Sequence, residues 1–180
     1  LREVGDRTGA AWSINYLGDV ARDRGDSDGA RELYELSLAA FRELGDRWGI
    51  AGSLADLGSL ARDHQNFDRA SSLYRESMRI FQGLDHKRGI ARLLDCLACL
   101  AGAQLAPRRA LRLAGAAAAL REKLGIPLPA KEQATLETLL EPARRSFTNA
   151  DDTTIWLEGW ALPLDQAVDE ALSPTRVEAL

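Results

Sequence analysis

The chain has 180 residues, 46% of them hydrophobic and 28% charged, enough for one domain or a short solenoid. Its net charge of -4 and pI near 5.3 speak against nucleic-acid contact by this segment, because such readers usually present a basic face. No apolar run approaches the ~20 residues of a membrane span and no signal peptide opens the chain, so neither is expected.

From the first residue the sequence repeats. Residues 1–40, 41–80 and 81–120 align without a gap, with Leu17, Leu57 and Leu97, then Ala21, Ala61 and Ala101, then Ala30, Ala70 and Ala110 in register. A constant period of this size marks a solenoid of supersecondary units. Ile14, Leu17, Gly18 and Ala21 recur at one helical face, and so do Leu54, Leu57, Gly58 and Ala61, then Leu94, Leu97, Ala98 and Ala101. Glycine inside a helix costs ~1 kcal/mol against alanine. Gly18 and Gly58, with Ala98, therefore predict places where a second helix presses close. The second half of each unit carries Ala30, Leu33, Tyr34, Ser37 and Phe41, then Ala70, Leu73, Tyr74, Ser77 and Phe81. Gly25-Asp26 and Asn66 between the halves supply a stop and a cap. Gly5-Asp6 and Gly45-Asp46 are predicted turns between repeats, each aspartate capping the next helix. In the third unit Leu105-Ala106-Pro107 replaces the Gly-Asp turn and Ala114 replaces the tyrosine, so the alanine-rich helix 107–123 is expected to pack more closely.

A proline-bearing linker begins at Gly125. A helix is predicted over 130–147 with Leu136, Leu139, Leu140 and Ala143 on one side. A short one follows, capped by Asp151-Asp152 and carrying Ile155, Trp156 and Trp160. The last opens at Leu162-Pro163-Leu164 and turns Ala167, Val168 and Ala171 inward, with a loose tail over 173–180. The domain organisation is thus three repeats over 1–124 (1–40, 41–80, 81–124) and capping helices over 125–180. Leu1 falls inside a repeat phrase, so a piece of a longer chain is expected.

The leucine-glycine pair, the alanine, Gly-Asp, the next alanine and the tyrosine resemble the tetratricopeptide repeat, here with a long period. LRLAGAAAALREKLGIPLP and WLEGWALPLDQAVDEAL resemble the end of the repeat region in bacterial LuxR-type transcriptional regulators and signal-transduction ATPases of the maltose-regulon-activator type. The resemblance implies an all-α fold: a tetratricopeptide-like right-handed α-solenoid of three helix pairs with a C-terminal helical cap.

Chemistry-bearing motifs are sparse. Cys96 and Cys99 form a C-x-x-C in mid-helix, where Asp56 and Ser59 stand one repeat earlier; a packing role fits better than a redox or metal site. Two cysteines in one helix are no disulfide framework and suit a reducing cytoplasm. Asp151 and Asp152 at a helix start fit stabilisation of its N–H groups rather than hydrolysis. No phosphate loop, nucleophile elbow or zinc motif occurs. We therefore expect no enzyme, no cofactor and no metal.

On the resemblance, Trp12, Asn15, Asp19 and Arg22 lie on the face that lines the inner curve of the superhelix. Gly52, Ala55, Ser59 and Arg62 follow in repeat two, and Arg92, Asp95, Cys99 and Gly102 in repeat three. These residues are the candidate binding groove; a merely solvated face fits them as well. A carboxylate clamp fits poorly, because repeat two offers only small residues before Arg62. The expected function is a cytoplasmic, non-catalytic sensor or interaction module of a larger regulator. It would bind a protein partner or flanking domains of the parent chain, without contacting nucleic acid or membrane. The alternative is a receptor domain that takes a small-molecule inducer in that same concave groove.

Overall fold

The computed structural model describes the backbone of residues 2–174 and side chains from residue 6 onward. Among the described residues there are nine α-helices and no strand. Two compact units divide the chain, Leu1–Asp85 and His86–Leu180. The first holds α1 (Arg2–Asp23), α2 (Ser27–Leu44), α3 (Arg47–Asp63) and α4 (Phe67–Gly83). The second holds α5 (Lys87–Ala103), α6 (Pro107–Leu124), α7 (Ala130–Arg144), α8 (Asn149–Trp160) and α9 (Leu164–Leu172). Helices α1 and α2, α3 and α4, and α5 and α6 pair as hairpins, one per sequence repeat.

Each hairpin turns in the same way. After α1 the chain reaches Gly25 at φ 79°, and the Asp26 amide donates back to the Ala21 carbonyl at 3.0 Å. Gln65 and Leu105 hold the same left-handed position at φ 59°, with Asn66 and Ala106 donating to Ala61 and Ala101 at 2.8 and 2.9 Å. This closure satisfies carbonyls that the helix end would otherwise leave open. Asp26 then accepts the Gly29 amide at 3.0 Å and Asn66 the Arg69 amide at 3.3 Å, as N-caps do. Between α2 and α3, Gly45 is left-handed at φ 68° and Asp46 caps through Gly49 at 3.0 Å. Between α4 and α5, His86 Nδ1 accepts from Gly89 at 3.0 Å.

The interior glycines do what the repeat pattern requires. A Cβ on Gly18 would lie 2.6 Å from the Tyr34 ring, and one on Gly58 would lie 2.6 Å from the Tyr74 ring. Ala98 is buried in the corresponding place. Ala30, Tyr34 and Leu38 of α2 form one core cluster with Leu54, Leu57 and Leu60 of α3. In the second unit α6 is the hub, packing against α5, α7, α8 and α9. Its approach to α8 is backbone to backbone: a Cβ on Gly115 would lie 2.1 Å from the Trp156 carbonyl oxygen, and Gly159 similarly abuts the Arg112 carbonyl. The alanine-rich α6 thus packs as closely as its composition predicts. On α9, Ala167, Val168 and Ala171 face inward as expected.

Four local expectations differ. Gly5-Asp6 make no turn, because α1 runs through them as helix. Leu17 is exposed, although Leu57 and Leu97 in its register are buried. Helix α8 starts at Asn149 and is capped by Thr148, whose hydroxyl accepts the Asp151 amide at 3.2 Å; Asp151 and Asp152 occupy its first turn instead. Helix α7 ends at Arg144 rather than Phe147, and Leu140 and Ala143 are buried while Leu139 is exposed. The expected loose tail includes 175–180, which lie outside the described residues.

Candidate functional site

The candidate residues of the first unit lie along α1 and α3. Trp12 is half-buried at the joint of three helices. Its ring centroid is 4.7 Å from Phe41, 4.3 Å from Trp48 and 6.0 Å from Tyr16. Offset and tilted rings at such distances attract through their quadrupoles as well as by area. The ring edge comes so near α3 that a Cβ on Gly52 would lie 3.3 Å away. Gly52, which the sequence reading placed in the groove for its register alone, makes room for Trp12.

Asn15 is buried one turn further on. Its amide donates to Asp56 Oδ2 at 3.1 Å, to Ser53 at 3.4 Å and to Ser37 at 3.5 Å. Ser37 and Ser53 share a further bond at 3.0 Å. These groups join α1, α2 and α3, and buried polar groups need such partners. Asp19 is exposed and accepts the Tyr34 hydroxyl at 2.8 Å. Burial, the Asp56 charge and the bond to Asp19 all push the Tyr34 phenol well above its ordinary range, so it stays a donor.

The other end of the stripe is charged. Asp63 accepts from Arg22 at 2.6 and 3.1 Å through one oxygen, and from Arg62 at 2.7 and 3.1 Å through the other. Burial pushes the Asp63 carboxyl up, but the two guanidinium groups outweigh it and hold it below the usual carboxylate range. Arg22 and Asp63 stay partly open while Arg62 is buried. Ser59 is buried too and accepts the Tyr74 hydroxyl at 3.0 Å. Trp12, Asp19 and Arg22 are therefore reachable on the surface of the first unit, whereas Asn15, Ser59 and Arg62 are placed inside it.

In the second unit Arg92 is exposed on α5. Asp95 lies on the same helix, ion-paired with Arg121 of α6. Arg121 holds the register of Phe41 and Phe81, so the third repeat replaces an aromatic contact by a charge pair. Burial pushes the Asp95 carboxyl up to about 7 despite that arginine, and Glu132 adds to the shift. Its Oδ1 is buried with no hydrogen-bond partner among the described residues. Cys99 is buried and Cys96 half-buried.

Sequence reasoning missed a cation-rich corner of the second unit. Arg112 of α6 reaches Glu158 of α8 at 2.9 Å and Glu170 of α9 at 3.0 Å, and Arg108 joins Glu158 at 2.8 Å. Arg109 donates to the carbonyls of Ala171, Ser173 and Pro174 at 3.1, 2.7 and 3.0 Å. The available signal was the run of arginines in the first turns of α6, where a helix of its own would favour acids.

Comparison with known proteins assigns part of this architecture. Residues 7–83 match the tetratricopeptide repeat family, so this region is a tetratricopeptide repeat region and the fold an all-α, tetratricopeptide-like solenoid. The family is a non-catalytic repeat scaffold that generally mediates protein–protein interaction. No curated protein and no solved structure matches the chain. No helix among the described residues is long and apolar enough to cross a membrane.

Proposed function

We propose that the chain is a non-catalytic protein-binding module that acts as the sensor of a larger cytoplasmic bacterial regulator of the LuxR or signalling-ATPase kind. The observation that carries this reading is the stripe Trp12, Asp19, Arg22 on the tetratricopeptide region. It sets a half-buried aromatic cluster beside an exposed carboxylate that accepts the Tyr34 hydroxyl and a partly exposed guanidinium paired with Asp63. Aromatic and arginine side chains of this kind are the ones that usually carry binding energy at interfaces. Arg92 of the second unit is the further candidate contact. The capping role of residues 125–180 belongs to the same proposal: these helices keep the apolar faces of α5 and α6 from water.

A peptide array probed with the purified chain tests the stripe. Binding of selected peptides should fall roughly tenfold or more in Trp12→Ala combined with Asp19→Lys, with helicity by circular dichroism retained. Retained affinity in that double variant would remove the stripe from the proposal.

A second reading, capture of a small effector, has one observation in its favour. A cleft of about 230 Å³ in the first unit is lined by Arg31, Leu57, Leu60, His64 and Arg69 among others. That volume is below the several hundred Å³ usual for drug-sized ligands, and it limits the effector to a small species. Thermal shift across a panel of small carboxylates and phosphates separates it from peptide binding.

A further inference from the structure

Helices α1 and α3 are the same helix in sequence register, yet one face of them differs in the folded chain. On α3 that face is covered. Leu57 and Leu60 are 5% and 4% exposed, packed against Ala30, Tyr34 and Leu38 of α2. Ser53 bonds Ser37 across the joint at 3.0 Å. A Cβ on Gly49 would lie 2.3 Å from the Phe41 ring. On α1 the same register is open. Leu17 and Val20 are 55% and 43% exposed. Ser13 turns its hydroxyl to the Gly9 carbonyl of its own helix at 2.9 Å. Gly9 has nothing within 4 Å of where a Cβ would stand. A glycine held in open helix is a cost without a local return.

A second observation points the same way. Gly5-Asp6-Arg7-Thr8-Gly9 and Gly45-Asp46-Arg47-Trp48-Gly49 differ only at Thr8 against Trp48. The latter makes a left-handed turn and an N-cap, while the former stays helical. The chain therefore carries the sequence of a repeat junction at a place where no junction is formed. Residues 1–4 stand in the register of the last turn of α2.

We propose that the Gly9–Ser13–Leu17–Val20 face of α1 receives one more helical hairpin of the same forty-residue type, standing directly ahead of residue 1. Its second helix lies on α1 as α2 lies on α3, and α1 breaks at Gly5 as the chain does at Gly45. The docking helix needs small residues, an aromatic and a leucine in the spacing of Ala30, Tyr34 and Leu38. A second copy of the chain cannot supply this from α4, whose corresponding Ala70, Tyr74 and Met78 are fully buried already.

Joining a second copy of residues 1–40 ahead of the intact chain restores the register and tests the proposal. Amide exchange across 9–20 should slow by roughly tenfold or more, and the amide of Asp6 should leave the helix. Gly9→Ala should be neutral or stabilising in the original chain and destabilising in the extended one, since only there does a neighbour occupy the space. Unchanged exchange in α1, or the same sign for Gly9→Ala in both chains, overturns the proposal. So does a dimer of the original chain by light scattering that Leu17→Glu dissociates, because a second copy then takes the face.

Discussion

At the scale of single residues, the glycines and tyrosines form matched pairs. Gly58 sits under the Tyr74 ring, and that ring is fully buried with its hydroxyl on Ser59. Gly58→Ala gains helix propensity of ~1 kcal/mol. It also drives a methyl to 2.6 Å from a ring that cannot retreat. Overpacking of this kind costs roughly 1–3 kcal/mol, so the variant should be less stable on balance, read as a lower urea midpoint with unchanged slope. Tyr74→Phe tests the other half of the pair and leaves Ser59 without that bond. These pairs were legible in the sequence because a small residue and an aromatic recur in fixed register. The role of Asn15 was not. Its polarity and spacing fit an open groove, and only the packing of α2 and α3 over it shows that its amide serves Ser37, Ser53 and Asp56.

At the scale of helices, periodicity told which residues face a neighbour but not which neighbour. The repeat predicted the hairpins and their turns, including the alanine-rich α6. It carried no information that α6 would become the hub for three C-terminal helices, since α7, α8 and α9 have no counterpart in the first two repeats. Nor could it place Arg112, whose two carboxylate partners lie 46 and 58 residues away in sequence. The contact between α6 and α8 depends on the absence of side chains at Gly115 and Gly159. Gly115→Val would place branched carbon where the Trp156 carbonyl lies, 2.1 Å from the Cβ. Backbone cannot give way as a side-chain tip can, so the helices must separate. The expected result is a loss of roughly 3 kcal/mol or more, at the upper end for overpacked cores. Amide exchange should quicken in α8 and α9 first, because the Arg112 bonds to Glu158 and Glu170 are stretched by the same displacement. A variant in which α8 retains its protection would show that α6 and α8 are held apart from the glycine contact.

For the molecule as a whole, the two units should answer pH in opposite senses. In the first, Asp63 titrates below its ordinary 3.8 because Arg62 and Arg22 outweigh burial. Its contribution is present above 3.8 and is lost only as pH falls through the lower folded value. In the second, Asp95 is raised from 3.8 to about 7 by burial. The folded state then holds that proton more tightly than the unfolded state, so its contribution is present below 3.8 and disappears as pH rises through about 7. At about 1.4 kcal/mol for each pKa unit, the ceiling is ~4 kcal/mol, and water at a side chain that is 13% exposed lowers it. Between pH 5 and 8 the first unit should keep its denaturation midpoint while the second unit weakens. The tryptophans separate the two signals, since Trp12 and Trp48 lie in one unit and Trp156 and Trp160 in the other. Fluorescence-detected urea unfolding of Trp12→Phe/Trp48→Phe reports the second unit, and of Trp156→Phe/Trp160→Phe the first. Asp95→Asn keeps the shape of the side chain and removes its titration, so it should flatten the pH slope of the second unit and leave the first untouched. A slope that survives Asp95→Asn would assign the pH response to groups other than the Asp95–Arg121 pair.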